Sequence, residues 1–385
     1  MIPYGRQDVT DEDVAAVAKV LRSDFLTQGP TVPRFEERVA DYCGARHAVA
    51  MNSATSALHA ACMALGVSHG DLVWTSPNTF VASANCALYC GADVDFVDID
   101  PVTYNMSVVA LEAKLTGAKK AGRLPKAVIP VHFSGQSADM KEIARLGAKY
   151  GFRIVEDASH AIGGKYLGAP VGSCAYSDIA VFSLHPVKII TSGEGGLALT
   201  NDRLLADRMA RLRTHGITRN AAEMTAAADG PWYYEMIDVG YNYRLTDMQA
   251  ALGLSQMDRL DRYVAARHEL AGRYDEMLRD LAVITPKRAA GIHSAWHLYM
   301  IQVDKTRTNR SRREVFEALR ASGIGVNVHY IPVHLQPVYR ARGFKPGDFP
   351  ACEEYYSRAI TIPLYATLTR QQQDQVVEAL KSALA

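Results

Sequence analysis

Apolar residues recur at two different spacings along this chain, and the alternation between them organises it. Short, nearly continuous apolar runs of strand length fall at Ala48–Met51, Leu72–Trp74, Val94–Val97, Ala127–Val131, Phe152–Val155, Ile179–Phe182 and Leu197–Thr200. Between most of them lie segments with apolar positions three and four apart, at Ser56–Leu65, Val81–Cys90, Val108–Leu115 and Met140–Tyr150. Two further helical patterns precede the first strand: Asp11–Leu21, behind the capping candidate Thr10, and Pro33–Tyr42. Strands alternating with helices predict an α/β fold, a sheet of many parallel strands with helices on both faces.

Past about Tyr243 the texture changes. Met248–Leu281 predicts one long amphipathic helical stretch, followed by a loop, a strand at His297–Val303, a helix at Arg312–Ala321, a strand at Gly325–His329 and a closing helix at Arg370–Leu384. We therefore expect a large domain with an N-terminal arm over residues 1–247 and a smaller α+β domain over residues 248–385. There is no internal repeat and no low-complexity linker.

Composition narrows the function classes. With 48% hydrophobic and 22% charged residues, 385 residues can bury a sizeable core. A formal net charge of +1 without blocks of like charge argues against nucleic acid or an anionic membrane as the main partner. The opening Met1–Arg6 lacks a signal-peptide pattern, and no apolar run has membrane-spanning length. Cysteines at 43, 62, 86, 90, 174 and 352 show no CxxC or zinc-knuckle spacing, so reduced thiols and a cytoplasmic setting are expected.

In such a sheet, ligands sit where the loops converge at the C-terminal strand ends. The run Val181–Ser183 delivers Lys188 into the turn that ends at Gly193-Glu194-Gly195-Gly196. A lysine in apolar surroundings has a lowered pKa, which makes its neutral amine a nucleophile suited to Schiff-base chemistry. Asn52–Leu58 follows a strand and opens a helix, a pattern for anion binding by first-turn N–H groups. Glu156 and Asp157 end another strand, where alternation points just one of them into a site and leaves Asp157 a helix N-cap candidate. Phe80 begins a helix where it would stack on a planar group, and Ser183 would donate to the same anion. A phosphate cradle, a stacking ring, a carboxylate and a lysine at successive strand ends are what a pyridoxal phosphate site requires.

On these residues the chain resembles the DegT/DnrJ/StrS family of sugar aminotransferases over essentially its full length. Asp24–Pro30, Asn52–Leu58, Glu156–His160, Ser183–Lys188, Gly193–Gly196 and Tyr241–Asp247 carry the likeness. Thr79–Gly91 and Val328–His334 resemble the branch that makes UDP-4-amino-4,6-dideoxy-N-acetyl-β-L-altrosamine, a step toward pseudaminic acid. The resemblance implies fold type I of the PLP-dependent aminotransferases, with a mostly parallel seven-stranded sheet and a smaller C-terminal α+β domain.

It also implies roles. Lys188 would hold pyridoxal 5′-phosphate covalently and Asp157 would pair with its ring nitrogen, while Ala54, Thr55 and Ser183 bind the phosphate. His160 takes a place where many relatives carry glutamine near the phenolic oxygen. Asn242 would reach the phosphate of a neighbouring subunit's cofactor, implying a homodimer with shared sites. Tyr4, the loop Asp24-Phe25-Leu26-Thr27, His185 and His329-Tyr330-Ile331-Pro332 would line a nucleotide-sugar pocket. The implied amino donor is L-glutamate, and the acceptor is C4 of a UDP-linked 4-keto-6-deoxy-N-acetylhexosamine.

Four rivals are weighed against this. Sugar dehydratases of the family replace the lysine with histidine, whereas Lys188 is present. A non-catalytic regulator should have lost Lys188, Asp157 or the cradle, and none is missing. A nicotinamide enzyme would show the absent GxGxxG fingerprint. Perosamine- or bacillosamine-type 4-keto sugars would need few pocket changes. His329 and His334 lack an acidic or thiol partner nearby in sequence, so no metal is expected.

Overall fold

The computed structural model describes residues 1–385. Its main sheet contains β1 (His47–Met51), β2 (Leu72–Thr75), β3 (Asp93–Phe96), β4 (Ala127–Ile129), β5 (Arg153–Asp157), β6 (Ile179–Ser183) and β7 (Gly196–Thr200). Their spatial order is β1-β7-β6-β5-β4-β2-β3. Pairing from β6 through β5, β4 and β2 to β3 is parallel, and β7 runs antiparallel to both its neighbours. The link from β6 to β7 contains no helix, and strands joined without a crossover element pair antiparallel.

Successive side chains on each strand feed opposite faces. Val181 joins a core with Leu58, Val73, Ile129 and Val155, while its neighbours Ala180 and Phe182 join one with Leu199, Ala250 and Tyr263. Every residue of β6 and β7 is buried, so these strands show no polar alternation. Helices Ala54–Ala64, Ala82–Tyr89, Val108–Lys120 and Met140–Tyr150 occupy the expected intervals.

Toward the C-terminus, Val283–Ile284, Tyr299–Val303 and Ala359–Ile362 form an antiparallel three-stranded sheet. Its core contains Tyr274, Tyr299, Ile301, Val315, Ile360 and Val376. Helices Arg312–Ala321 and Arg370–Leu384 contribute to that core, each started by a capping box, Ser311 with Glu314 and Thr369 with Gln372.

Two expectations are corrected. Met248–Leu281 is not one helix but two, Asp247–Met257 and Leu260–Met277. At the break, Arg259 caps the start of the second helix with φ −109° and ψ 0°, and its guanidinium meets the fully buried Asp13 carboxylate at 2.6 Å. A buried charge must be paired, and this tertiary requirement overrides helical periodicity. Gly325–His329 is not a strand. Its backbone is shared between the N-terminal arm, through Gly325 N–H to Ile2 O at 2.6 Å, and an isolated pairing of Asn327 with Thr361.

Candidate active site

The C-terminal ends of β1, β2, β5 and β6 and the start of antiparallel β7 open onto one cavity of about 950 Å³, near the top of the small-molecule range of about 300–1,000 Å³. Ser183 is the last residue of β6. The turn beyond it is held by Leu184 N–H to Gly195 O at 2.9 Å and by Thr191 Oγ1 donating to Leu184 O at 2.8 Å. Lys188 N–H donates to His185 O at 2.9 Å, and Lys188 and His185 both line the cavity. Desolvation of its amine lowers the Lys188 pKa to about 8, against the opposing pull of Asp157. A neutral amine attacks an aldehyde, so covalent capture of pyridoxal phosphate by the apoprotein is expected to quicken with rising pH and level off above about 8. Stopped-flow absorbance across pH 6–10 checks this, and a plateau reached only near the ordinary lysine value of about 10.4 would refute it.

Asp157 ends β5 inside the cavity. Its Oδ1 accepts Ser159 N–H at 3.1 Å and its Oδ2 accepts Ser83 Oγ–H at 2.5 Å. No helix follows, so the N-cap expectation is corrected: the carboxylate stabilises a tight turn instead. Glu156 points to the opposite face, as strand alternation requires, where His132 Nε2–H donates to it at 2.6 Å.

The helix Ala54–Ala64 begins in the same corner. Its cap Ser53 accepts Ser56 N–H at 3.1 Å, while the first-turn N–H groups of Ala54 and Thr55 have no intrahelical acceptor. Ser183 pairs with Gly196 across the sheet, and a Cβ on Gly196 would lie 2.4 Å from the Ala54 nitrogen. Glycine at that position therefore lets the helix N-terminus descend onto the sheet beside the Ser183 hydroxyl.

Aromatic and imidazole groups form the rest of the wall. Phe80 lines the cavity and is 58% exposed. Ser134 N–H donates to His160 Nδ1 at 3.2 Å, so Nε2 carries the proton and donates to Tyr330 Oη at 3.1 Å. His329 Nδ1 meets Thr361 Oγ1 at 2.8 Å, and its ring lies 5.5 Å from that of Tyr4. Burial, then the charge of Lys188, pushes His329 down to about 3 and His160 well below the ordinary histidine value. These imidazoles are neutral at physiological pH. His334 turns away to pair with Glu353 at 2.9 Å.

Tyr4, Ala54, Thr55, Phe80, Asp157, His160, Ser183, His185, Lys188, His329 and Tyr330 thus share one cavity. The others do not line it. Asp24, Phe25, Leu26 and Thr27 form an exposed loop, tied down by Asp247 N–H to Leu26 O and by the pairing of Thr27 with Thr246. Asn242 is exposed beside the end of β1, Ile331 is exposed, and Pro332 is buried where a short 3₁₀ turn starts. Sequence reading missed Thr79, Ser83, Glu194 and His297. Thr79 and Ser83 lie four apart at a helix start, a legible signal, whereas nothing local marks His297.

Known proteins share this fold. The model of the DegT/DnrJ/EryC1/StrS aminotransferase family matches residues 7–381. The chain belongs to that family. It is 40% identical over 383 residues to the spore coat polysaccharide biosynthesis protein SpsC of Bacillus subtilis, covering 99% of this chain and 96% of SpsC. Helicobacter pylori PseC, an aminotransferase involved in the biosynthesis of pseudoaminic acid, superposes with a TM-score of 0.90 at 30% identity, covering 100% of this chain and 99% of PseC. Spr1654 of Streptococcus pneumoniae in its PLP-form gives 0.89 at 28% identity, over 99% and 98% of the two chains.

The fold is accordingly that of the PLP-dependent aminotransferases, and pyridoxal phosphate is the family's cofactor. The cavity fits that group. It offers a desolvated amine, a carboxylate on the adjacent strand end, and first-turn N–H groups at a helix start that Gly196 keeps close to Ser183.

Proposed function

We propose that this sugar aminotransferase moves the amino group of L-glutamate to C4 of a UDP-linked 4-keto-6-deoxy-N-acetylhexosamine, UDP-2-acetamido-2,6-dideoxy-β-L-arabino-hexos-4-ulose, in the pseudaminic acid pathway. The observation that carries this reading is the sharing of one cavity: Lys188, Asp157 and the cradle open onto the same space as Tyr4, His185, His329 and Tyr330, whose hydroxyl and imidazole groups offer hydrogen bonds suited to a sugar. The full-length similarity to PseC supports the choice of sugar.

Pyridoxal phosphate, when bound, supplies an electron sink for the carbon that carries the amine. The chain does the rest. Lys188 Nζ anchors the cofactor and, once displaced, moves a proton between the substrate carbon and the cofactor. Asp157 keeps the proton on the ring nitrogen. Ala54 N–H, Thr55 and Ser183 hold the phosphate, and Phe80 covers the ring. The working form we propose is a cytoplasmic homodimer. Trp232, Met236 and Val239, in the segment that leads to Asn242, are 69%, 64% and 70% exposed, apolar side chains that a second copy would cover.

Product analysis by NMR, after incubation with glutamate and UDP-linked 4-keto sugars of both C5 configurations, tests the assignment. Amination of the L-configured sugar is expected. Amination restricted to the D-configured sugar would overturn the pseudaminic reading in favour of a perosamine- or bacillosamine-type substrate.

A further inference from the structure

We propose that Ser83 is a positioning residue for transamination, setting the orientation of Asp157 through a single short hydrogen bond. Ser83 lies in the first turn of the helix Ala82–Tyr89 and is wholly buried. Its Oγ is 2.5 Å from Asp157 Oδ2 and 2.6 Å from Thr79 Oγ1. An ionised carboxylate has no proton to give, so Ser83 must donate to Asp157. Its lone pairs then receive the Thr79 hydroxyl, and the bonds run in one direction from Thr79 through Ser83 to Asp157. The other carboxylate oxygen takes Ser159 N–H at 3.1 Å.

Two donors on two different oxygens fix the plane of the carboxylate. A merely structural reading would have Ser83 bond back to its own helix start. That contact, to Phe80 O, is the longer one at 3.3 Å and competes poorly with a charged acceptor. The four-residue spacing of Thr79 and Ser83 places both hydroxyls on one side of the starting helix, facing the end of β5. The chain thus uses the loop after β2 to control a carboxylate two sheet positions away.

The inference rests on the proposed role of Asp157 at the ring nitrogen. Without the Ser83 hydroxyl the carboxylate loses one of the two donors that orient it, and its hold on the proton of the ring nitrogen weakens. A less positive ring repels a neighbouring proton less, so the absorbance titration of the bound cofactor should move to higher pH.

The test uses the holoenzyme carrying Ser83→Ala or Ser83→Thr, with cofactor content and circular dichroism as controls. Ser83→Ala should lower kcat of the glutamate half-reaction by about ten- to a hundredfold, as for a lost hydrogen bond to a charged group, with KM little changed. The titration should move upward, and Ser83→Thr should restore both. Wild-type kcat and titration in Ser83→Ala, or a Ser83→Thr variant no better than Ser83→Ala, would overturn the proposal. Should Ser83→Ala not fold, Thr79→Val is expected to move the titration the same way to a smaller extent, and no movement counts against the relay. Asp157→Asn separates the two levels. If that variant is inactive while Ser83→Ala is normal, the Ser83 inference alone fails; if Asp157→Asn is fully active, the reading of Asp157 fails with it. Ser83→Ala added to Asp157→Asn should cost nothing further.

Discussion

Lys188→Ala abolishes transamination, with an expected loss of at least about 10⁴-fold, while the fold survives. The loss has two parts. General acid–base catalysis by a positioned side chain is worth about 10²–10⁴-fold, and Lys188 is the amine that the β6 turn brings into the cavity. The covalent hold on pyridoxal phosphate disappears with the same atom. The fold is indifferent to the change because the desolvated amine makes no hydrogen bond in the turn, which is held by the backbone and hydroxyl contacts of Leu184, Thr191 and Gly195. The measurement is the visible absorbance change on adding L-glutamate, with circular dichroism as the control. Borohydride should fix the cofactor to the wild-type chain and not to the variant. A Lys188→Ala protein that still transaminates would show that the assignment is wrong.

The second large effect is Asp157→Asn, for which kcat should fall about 10³-fold, within the range that positioned proton-holding groups contribute. The carboxamide is nearly isosteric and can still accept Ser159 N–H, so the turn after β5 should persist. What it lacks is the negative charge that holds a proton on the ring nitrogen. The cofactor should remain attached through Lys188, and the defect should therefore appear in kcat with retained cofactor content. A defect confined to KM for glutamate would instead mean that Asp157 binds substrate.

Much of this was legible along the chain because the relevant residues follow strands directly. Lys188, Asp157, Ala54 and Thr55 each lie just past or at a buried strand end, and a parallel sheet brings such ends together whatever the details of packing. Phe80, at the helix start after β2, reaches the same cavity. Reading along the chain failed where long-range partners decide the conformation. The break at Arg259 answers a buried carboxylate more than two hundred residues away in sequence, on Asp13, and no local pattern at Met248–Leu281 announces it. The segment Gly325–His329 has strand-like composition, but the N-terminal arm and Thr361 divide its hydrogen bonds between them.

Residues joined through space were also hidden. His297, two residues before the strand Tyr299–Val303, enters the cavity with its ring 4.4 Å from that of His160. Ser83 reads as an ordinary helix-start serine until β5 is packed beside it. Asn242 and the loop Asp24–Thr27 resemble site residues yet lie outside this chain's own cavity, and their use depends on the proposed second copy.

The linear chain by itself determined the alternation of strands and helices, the lysine with its glycine-rich turn, and the order of cradle, carboxylate and amine. These follow from local periodicity and from the steric needs of individual residues. Tertiary structure alone decided which hydroxyl holds Asp157, which tautomer His160 adopts, and how far the Lys188 amine is desolvated. Those properties depend on distances of a few ångströms between segments distant in sequence, and hydrogen bonding and desolvation act only over such distances.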